Sequence, residues 1–410
     1  MPDQVHAAVL QFLLRNGYKE TQEAFVREAG EKIDFESVEE APPVERLLGE
    51  QPTPDPVNQV ADLLADIQLE RTQELEDGDD DYYTTLIDSF TNVHSSNILS
   101  IAIEPNTGAI ATSSTDRTVK LTETSNTGQR VYHPHQGPVL SIDFHPQTPH
   151  LMLTTSMDGS SALIDTRKEE EDNAVFQRFT DHKKYVIRGI FSPVDGRYIA
   201  TASYDRMINI YEQQQVEKGD VEYKLAKQLG PFLGNVETIC FLPNDNILVA
   251  GVHDDNYLHY IHLDDRYRHE KYNMNSNGDD WVSFSPLWVS PSPDGRHVLV
   301  STNQNTGRLI LFAVQQATQI QNYYDIPSEN QFATRRHCWH PSGRYFYVSG
   351  GDDYCIRVIE TKTGRLTAEL EGGHTAMVRA MTLDQQLGLV TGGFDHLVNV
   401  WAKTPTPMIR

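Results

Sequence analysis

One aspartate returns along this chain at a nearly fixed interval, and that interval limits the folds open to it. Asp116, Asp158, Asp205, Asp255, Asp353 and Asp395 carry it, Asn305 stands in once, and the steps are 42, 47, 50, 50, 48 and 42 residues. Around most of these positions one pattern repeats. A His or polar turn leads into an apolar strand that ends at a Pro turn. A strand rich in Ser, Thr, Ala and Gly follows, then the Asp, then a strand of alternating apolar residues. Self-similarity at about 40–50 residues with three to four strands per unit predicts a β-propeller, and seven units close a ring. The expected fold class is an all-β seven-bladed propeller preceded by a small α-helical N-terminal region.

A chain of 410 residues holds one such ring and an appendage. No apolar run reaches 18 residues, so no membrane partner is expected, and the opening MPDQVHAAVLQFLLRNG lacks the basic start of a secretory signal. Three cysteines, Cys240, Cys338 and Cys355, make no disulfide framework. A reducing, intracellular location, nuclear or cytoplasmic, is the expectation. The net charge of −24 is uneven: residues 1–90 hold 22 acidic and 6 basic side chains, the remaining 320 hold 36 and 28. Such a field repels phosphate backbones, so direct nucleic-acid binding is not expected, and a protein or peptide partner is.

Within residues 1–35, Val5, Val9, Leu10, Phe12 and Leu13 form a helical apolar face that Asn16-Gly17 ends. A second short helix carries Thr21, Phe25 and Glu28. The string VHAAVLQFLLRNGYKETQEAFVREAG resembles a LisH motif, with Gly17-Tyr18, Thr21, Phe25 and Glu28 at that family's Gly-Tyr, Thr, Phe and Glu. The resemblance implies dimerisation, and the physics agrees. Two short helices cannot bury Leu10, Leu13, Tyr18 and Phe25 alone, so a second copy covers them; packing on the chain's own propeller is the alternative. Residues 36–80 read as a Pro-rich and acidic linker with one helix over about 57–75, marked by Val60, Leu63, Leu64 and Ile67.

The repeats occupy 81–403, ahead of a tail at 404–410. They resemble the WD-repeat family, whose blades carry a structural tetrad of His, Ser or Thr, Asp and Trp. The last unit matches it fully with His374, Thr391, Asp395 and Trp401. The first three keep His94/Asp116, His135/Asp158 and His182/Asp205 but place Thr122, Ile164 and Tyr211 at the Trp position. Units four to six show no obvious His. These residues therefore read as structural. Because too little chain follows Trp401 for another strand, DYYTTLIDSF (81–90) is expected to supply the outer strand of blade seven and so close the ring. The segments 212–222 and 264–280 read as loop insertions.

No Gly-rich phosphate loop, HExxH helix or nucleophile elbow occurs, so no catalytic residues, metal or cofactor are expected. His337-Cys338-Trp339-His340 reads as strand and turn, not as a ligand cluster. Two features rise above the scaffold. Met157, Tyr204 and Phe394 precede turn aspartates, and Tyr185 and Met377 precede first strands; in such repeats these positions share one face. With Lys184 and Arg379 at the border, they form a candidate partner-binding face, since aromatic and Met side chains are enriched in interfaces. Second, Leu163-Ile164-Asp165-Thr166-Arg167 resembles the blade ending of substrate receptors of cullin-RING ubiquitin ligases, which implies adaptor contact by Asp165 and Arg167 on the opposite face. The expected function is a non-enzymatic dimeric scaffold that recruits proteins through the propeller faces. A ligase receptor is one alternative, and an enzyme with a channel-mouth site is another.

Overall fold

The repeat resolves into seven antiparallel sheets of four strands each, arranged as a ring of blades. The computed structural model describes residues 82–91, 93–123, 128–168, 174–215, 221–324, 326 and 335–403. All 28 elements among them are strands. The LisH-like hairpin with Leu10, Leu13, Tyr18 and Phe25, the expected helix over 57–75 and the 404–410 tail lie outside the described residues.

Each blade runs outward from the channel. Blade three is representative: Val186–Phe191, Tyr198–Ser203, Ile208–Gln215 and Val221–Leu229 pair in sequence order. The second strand Tyr198–Ser203 is buried throughout because neighbouring blades cover both its faces, whereas the outer strand Val221–Leu229 (VEYKLAKQL) buries only Tyr223 and is largely exposed to solvent. Two segments read from sequence as loop insertions are therefore partly strand. Residues 212–215 end the strand Ile208–Gln215 of blade three and residues 221–222 begin its partner Val221–Leu229, and 264–280 holds Arg268–Asn273, the outer strand of blade four. Their charged residues mimic a loop because an outermost strand has one face in water.

The apolar core is divided into seven clusters, each spanning two adjacent blades. The cluster between blades six and seven holds Tyr345, Tyr347, Leu389, Trp401 and Tyr83. No blade has a core of its own, so each is stable only between neighbours. The inner strands are also bonded blade to blade: the Ile142 amide donates to Ser100 Oγ (3.2 Å), the Phe191 amide to Asp143 Oδ2 (2.7 Å), and Trp339 Nε1 to Ser290 Oγ (3.0 Å).

Ring closure falls to Tyr83–Phe90, which pairs antiparallel with Val398–Lys403 as the fourth strand of blade seven. The Tyr83 amide donates to the Tyr347 hydroxyl of blade six (2.8 Å), and Ser89 Oγ donates to Asn399 Oδ1 (2.6 Å).

The turn aspartates bind backbone. In blade one, Asp116 accepts from the Thr118 amide (3.0 Å) and hydroxyl (2.6 Å) and from the Ser95 amide (3.1 Å), while His94 bridges Asp116 (3.0 Å) and Thr112 Oγ1 (2.8 Å). Blades three and seven repeat this with His182 and His374, and in blade seven Trp401 Nε1 donates to Thr391 Oγ1 (3.0 Å). In blade two the ring leans toward Ser160 (2.8 Å) and stands 3.5 Å from Asp158. At the Trp position of blade three, Tyr211 sends its hydroxyl to Asp181 (3.0 Å).

Blades four and six solve the same problem from the other side. Asp255 meets His259 (3.0 Å) and Asp353 meets Arg357, each four residues later on the third strand. Blade five, with Asn305, has no carboxylate there. Arg335 enters from blade six and donates to the carbonyls of Ile326 (2.9 Å), Thr302 (3.4 Å) and Asn305 (3.3 Å).

Two expectations follow. Deleting 83–90 exposes the edge of blade seven and opens the core shared with blade six, so thermal unfolding should begin about 10 °C lower; an unchanged midpoint would refute closure by this strand. Burial alone would raise the Asp116 carboxyl, but Thr118 and His94 hold it at about 2, against an ordinary 3.8. A depressed carboxylate contributes stability above its unfolded pKa and loses it as pH falls toward the folded one. Urea unfolding of Asp116→Asn should thus show a deficit of about 2 kcal/mol at pH 7 that shrinks to about half by pH 3. A deficit independent of pH would contradict the assignment.

Candidate functional site at the channel mouth

One backbone bond recurs in all seven blades and defines a face. The amide of the residue next after the second strand donates to the carbonyl just before the first strand. The pairs are Thr115 to Asn97, Met157 to Pro138, Tyr204 to Tyr185, His253 to Asn235, Asn303 to Ser285, Ser349 to Arg336 and Phe394 to Met377. Fourteen residues are thereby set on one rim around the channel, five of which are the candidates Met157, Tyr185, Tyr204, Met377 and Phe394.

Their exposure differs from the sequence expectation. Tyr185 is 44% exposed and Lys184 is exposed beside it, but Met157, Tyr204, Met377 and Phe394 are half-buried. Tyr204 packs near Tyr185, ring centres 6.3 Å apart, and donates its hydroxyl to Glu237 Oε2 (3.0 Å). It is a bonded member of the mouth.

Arg379 was expected to border the patch, and it lines the channel cavity. It sits at a β-bulge. Six of the seven first strands slip register at their second residue: Leu99, Leu140, Ile187, Glu237, Leu287 and Arg379. A bulged residue breaks the strict in-out alternation and is re-aimed. Arg379 lies within electrostatic reach of Tyr204, Arg188 and Glu237, and burial draws its guanidinium down to about 10. Burial raises the Glu237 carboxyl, opposed by Tyr204, His253 and Arg379.

Sequence reading missed two further sets of residues. Trp281 (77% exposed) and Leu233 (72% exposed) sit on connections from an outer strand to the next blade, which emerge on this same face. The Trp281 loop is built: Asn275 Nδ2 donates to Asp279 Oδ1 (2.8 Å) and to the Trp281 carbonyl (2.6 Å). The signal was present, as a Trp within the otherwise polar run NMNSNGDDW. The second set lines a channel cavity of about 350 Å3: Arg188, Trp288 and Arg336 join Arg379 and Asp143 there. Arg336 precedes its first strand in the register of Tyr185 and Met377, so the same count would have found it.

On the opposite face Ile164 is fully buried, filling the core between blades one and two at the Trp position. Arg167 is 66% exposed along its side chain and forms a forked pair with Asp165, Nε to Oδ1 3.0 Å and Nη2 to Oδ2 2.8 Å. The His337–His340 run gathers no ligand set: His337 Nδ1 meets Ser301 Oγ (2.8 Å) and His340 Nδ1 meets Ser342 Oγ (2.8 Å). No helix among the described residues is long and apolar enough to cross a membrane.

The family model for the WD domain, G-beta repeat, matches residues 85–122, 127–165, 174–212 and 334–360. Among curated proteins, the transcriptional corepressor LEUNIG_HOMOLOG of Arabidopsis thaliana is 29% identical over 42% of this chain and 20% of that protein. Histone acetyltransferase type B subunit 2 of Debaryomyces hansenii is 26% identical over 32% of this chain and 34% of its own length. Jouberin of Rattus norvegicus is 23% identical over 57% of this chain and 22% of its own. The chain thus spans a fifth to a third of the length of these relatives. Matched repeats and seven four-stranded blades closed in a ring lead to one statement: the chain is a seven-bladed β-propeller that carries WD repeats.

Proposed function

We propose that this protein is a non-enzymatic assembly scaffold that binds partner proteins on the turn-aspartate face of its propeller. One observation carries the reading: exposed Tyr185, Leu233 and Trp281 stand on that face around a rim of half-buried Met157, Tyr204, Met377 and Phe394. Exposed aromatic side chains on fixed loops supply contact area at small entropic cost, and such clusters mark interfaces. The relatives agree in kind, one being named a corepressor and another a subunit of a histone acetyltransferase. A nuclear or cytoplasmic protein in a multiprotein complex fits both. The LisH-like segment 1–35 dimerises the chain in this reading, which presents two rings and raises avidity for a repeated partner.

A second reading rests on Arg167. Its exposed guanidinium, held by Asp165 beside exposed Phe176, offers a ligase adaptor a charged contact on the opposite face.

Affinity purification from native extract separates the two. Tyr185→Asp with Trp281→Asp changes only exposed side chains, so the ring stays folded and the co-purifying complex should be lost, while Arg167→Glu should leave it intact. Loss of a cullin adaptor with Arg167→Glu alone would favour the receptor reading, and a full set of partners on the double variant would sink the face. Light scattering should give a dimer for the full chain and a monomer after removal of 1–35; a monomeric full chain would end the dimer proposal.

A further inference from the structure

Three arginines from three blades converge on the channel cavity without a carboxylate within 4.0 Å among the described residues. The guanidinium carbons of Arg188 and Arg336 lie 3.8 and 3.9 Å from the ring centre of Trp288. Two cations at that distance from one indole fit only on opposite faces, so Trp288 is the filling of a guanidinium sandwich. Trp288 is itself fixed, Nε1 donating to the His337 carbonyl (3.1 Å). Stacking on the ring stabilises each cation through its face but leaves the N–H edges free. Arg188 Nε and Arg336 Nε and Nη1 are buried with no hydrogen-bond partner, and none of the three side chains has a carboxylate within 4.0 Å among the described residues. Arg379 adds a third positive charge on the same cavity.

An unpaired buried charge is among the costliest features a fold can keep. The nearest acids offset it only in part. Asp143, which accepts from the Phe191 amide and attracts Arg188, and Glu237, which receives the Tyr204 hydroxyl and attracts Arg379, are both raised by burial, and they are two carboxyls against three guanidiniums. The cavity is therefore net positive inside a protein of net charge −24. We propose that it binds a phosphate dianion carried by a small ligand, at a site formed by Arg188, Arg336, Arg379 and Trp288. A phosphate fits better than a carboxylate, because its two charges and three acceptor oxygens answer several guanidinium forks at once. The volume of about 350 Å3 suits a small metabolite and not a folded domain. This site is independent of which protein docks on the rim.

Isothermal titration of the full-length protein with inorganic pyrophosphate and, separately, with N-acetyl-phosphoserine amide tests the idea. Binding of pyrophosphate at micromolar to low millimolar concentration, weakened at least tenfold in Arg188→Gln/Arg336→Gln, is the expected result. Binding of the phosphoserine amide alone, with the same loss, would keep the phosphate site but move its source to a modified protein. Should the glutamine variant fail to fold, Arg188→Lys/Arg336→Lys keeps the charge yet loses fork and stack, and should still weaken binding. No heat or thermal stabilisation from either compound up to 10 mM on the order of ten times a weak site's Kd overturns the proposal, as does equal binding by wild type and the lysine variant.

Discussion

Everything in this ring depends on the pairing of Tyr83–Phe90 with Val398–Lys403. Each of the seven core clusters lies between two blades, so removing one contact anywhere leaves two half-cores facing water. A propeller has no central layer to fall back on. Its stability is circular, and the first and last strands are where the circle is joined. The Tyr83 amide on the Tyr347 hydroxyl extends that joint into blade six, so closure braces an interface as well as an edge.

Once the ring is closed, its inner wall becomes available for chemistry. The first strands are fastened to one another by hydrogen bonds such as Ser100 to Ile142 and Asp143 to Phe191, which hold the channel at a fixed width. Six bulges at matching positions then turn one side chain per blade out of register. In blades one, two, three and five that residue is Leu or Ile, and in blades four and seven it is Glu237 and Arg379. Blade six lacks the slip, its three-residue first strand His337–Trp339 pairing evenly with Val348, Tyr347 and Phe346. A repeated scaffold has thus been individualised at the wall of its channel while its outer geometry stayed regular.

What the sequence made legible follows from how local each interaction is. The turn aspartates could be read because Asp116 or Asp395 binds amides two residues ahead, and a local requirement leaves a fixed spacing. The Trp position could be read for Thr122, Ile164 and Tyr211 because strand register is local too. His259, Arg357 and Arg335 were illegible as replacements for the missing histidines, since the compensating group arrives from a different strand or a different blade. The place of Arg379 on the channel cavity was not legible, since it sits at a bulge that no spacing announces. The Arg188–Trp288–Arg336 stack belongs to three blades, and only the closed ring brings them together.

The joint between the two ends also has a consequence in time. Ser89 and Asn399, which meet across it, are 310 residues apart. During synthesis at about 5–20 residues per second, the first strand to emerge waits roughly 15–60 s for its mate. Through that interval every finished blade stacks on its predecessor, yet the strand that will complete the circle remains an unpaired edge. The nascent chain is therefore most vulnerable to association with its neighbours just before Val398–Lys403 is made, and along YTTLIDSF, with Leu86 and Ile87 exposed, Asp88 is the one charge that guards the edge.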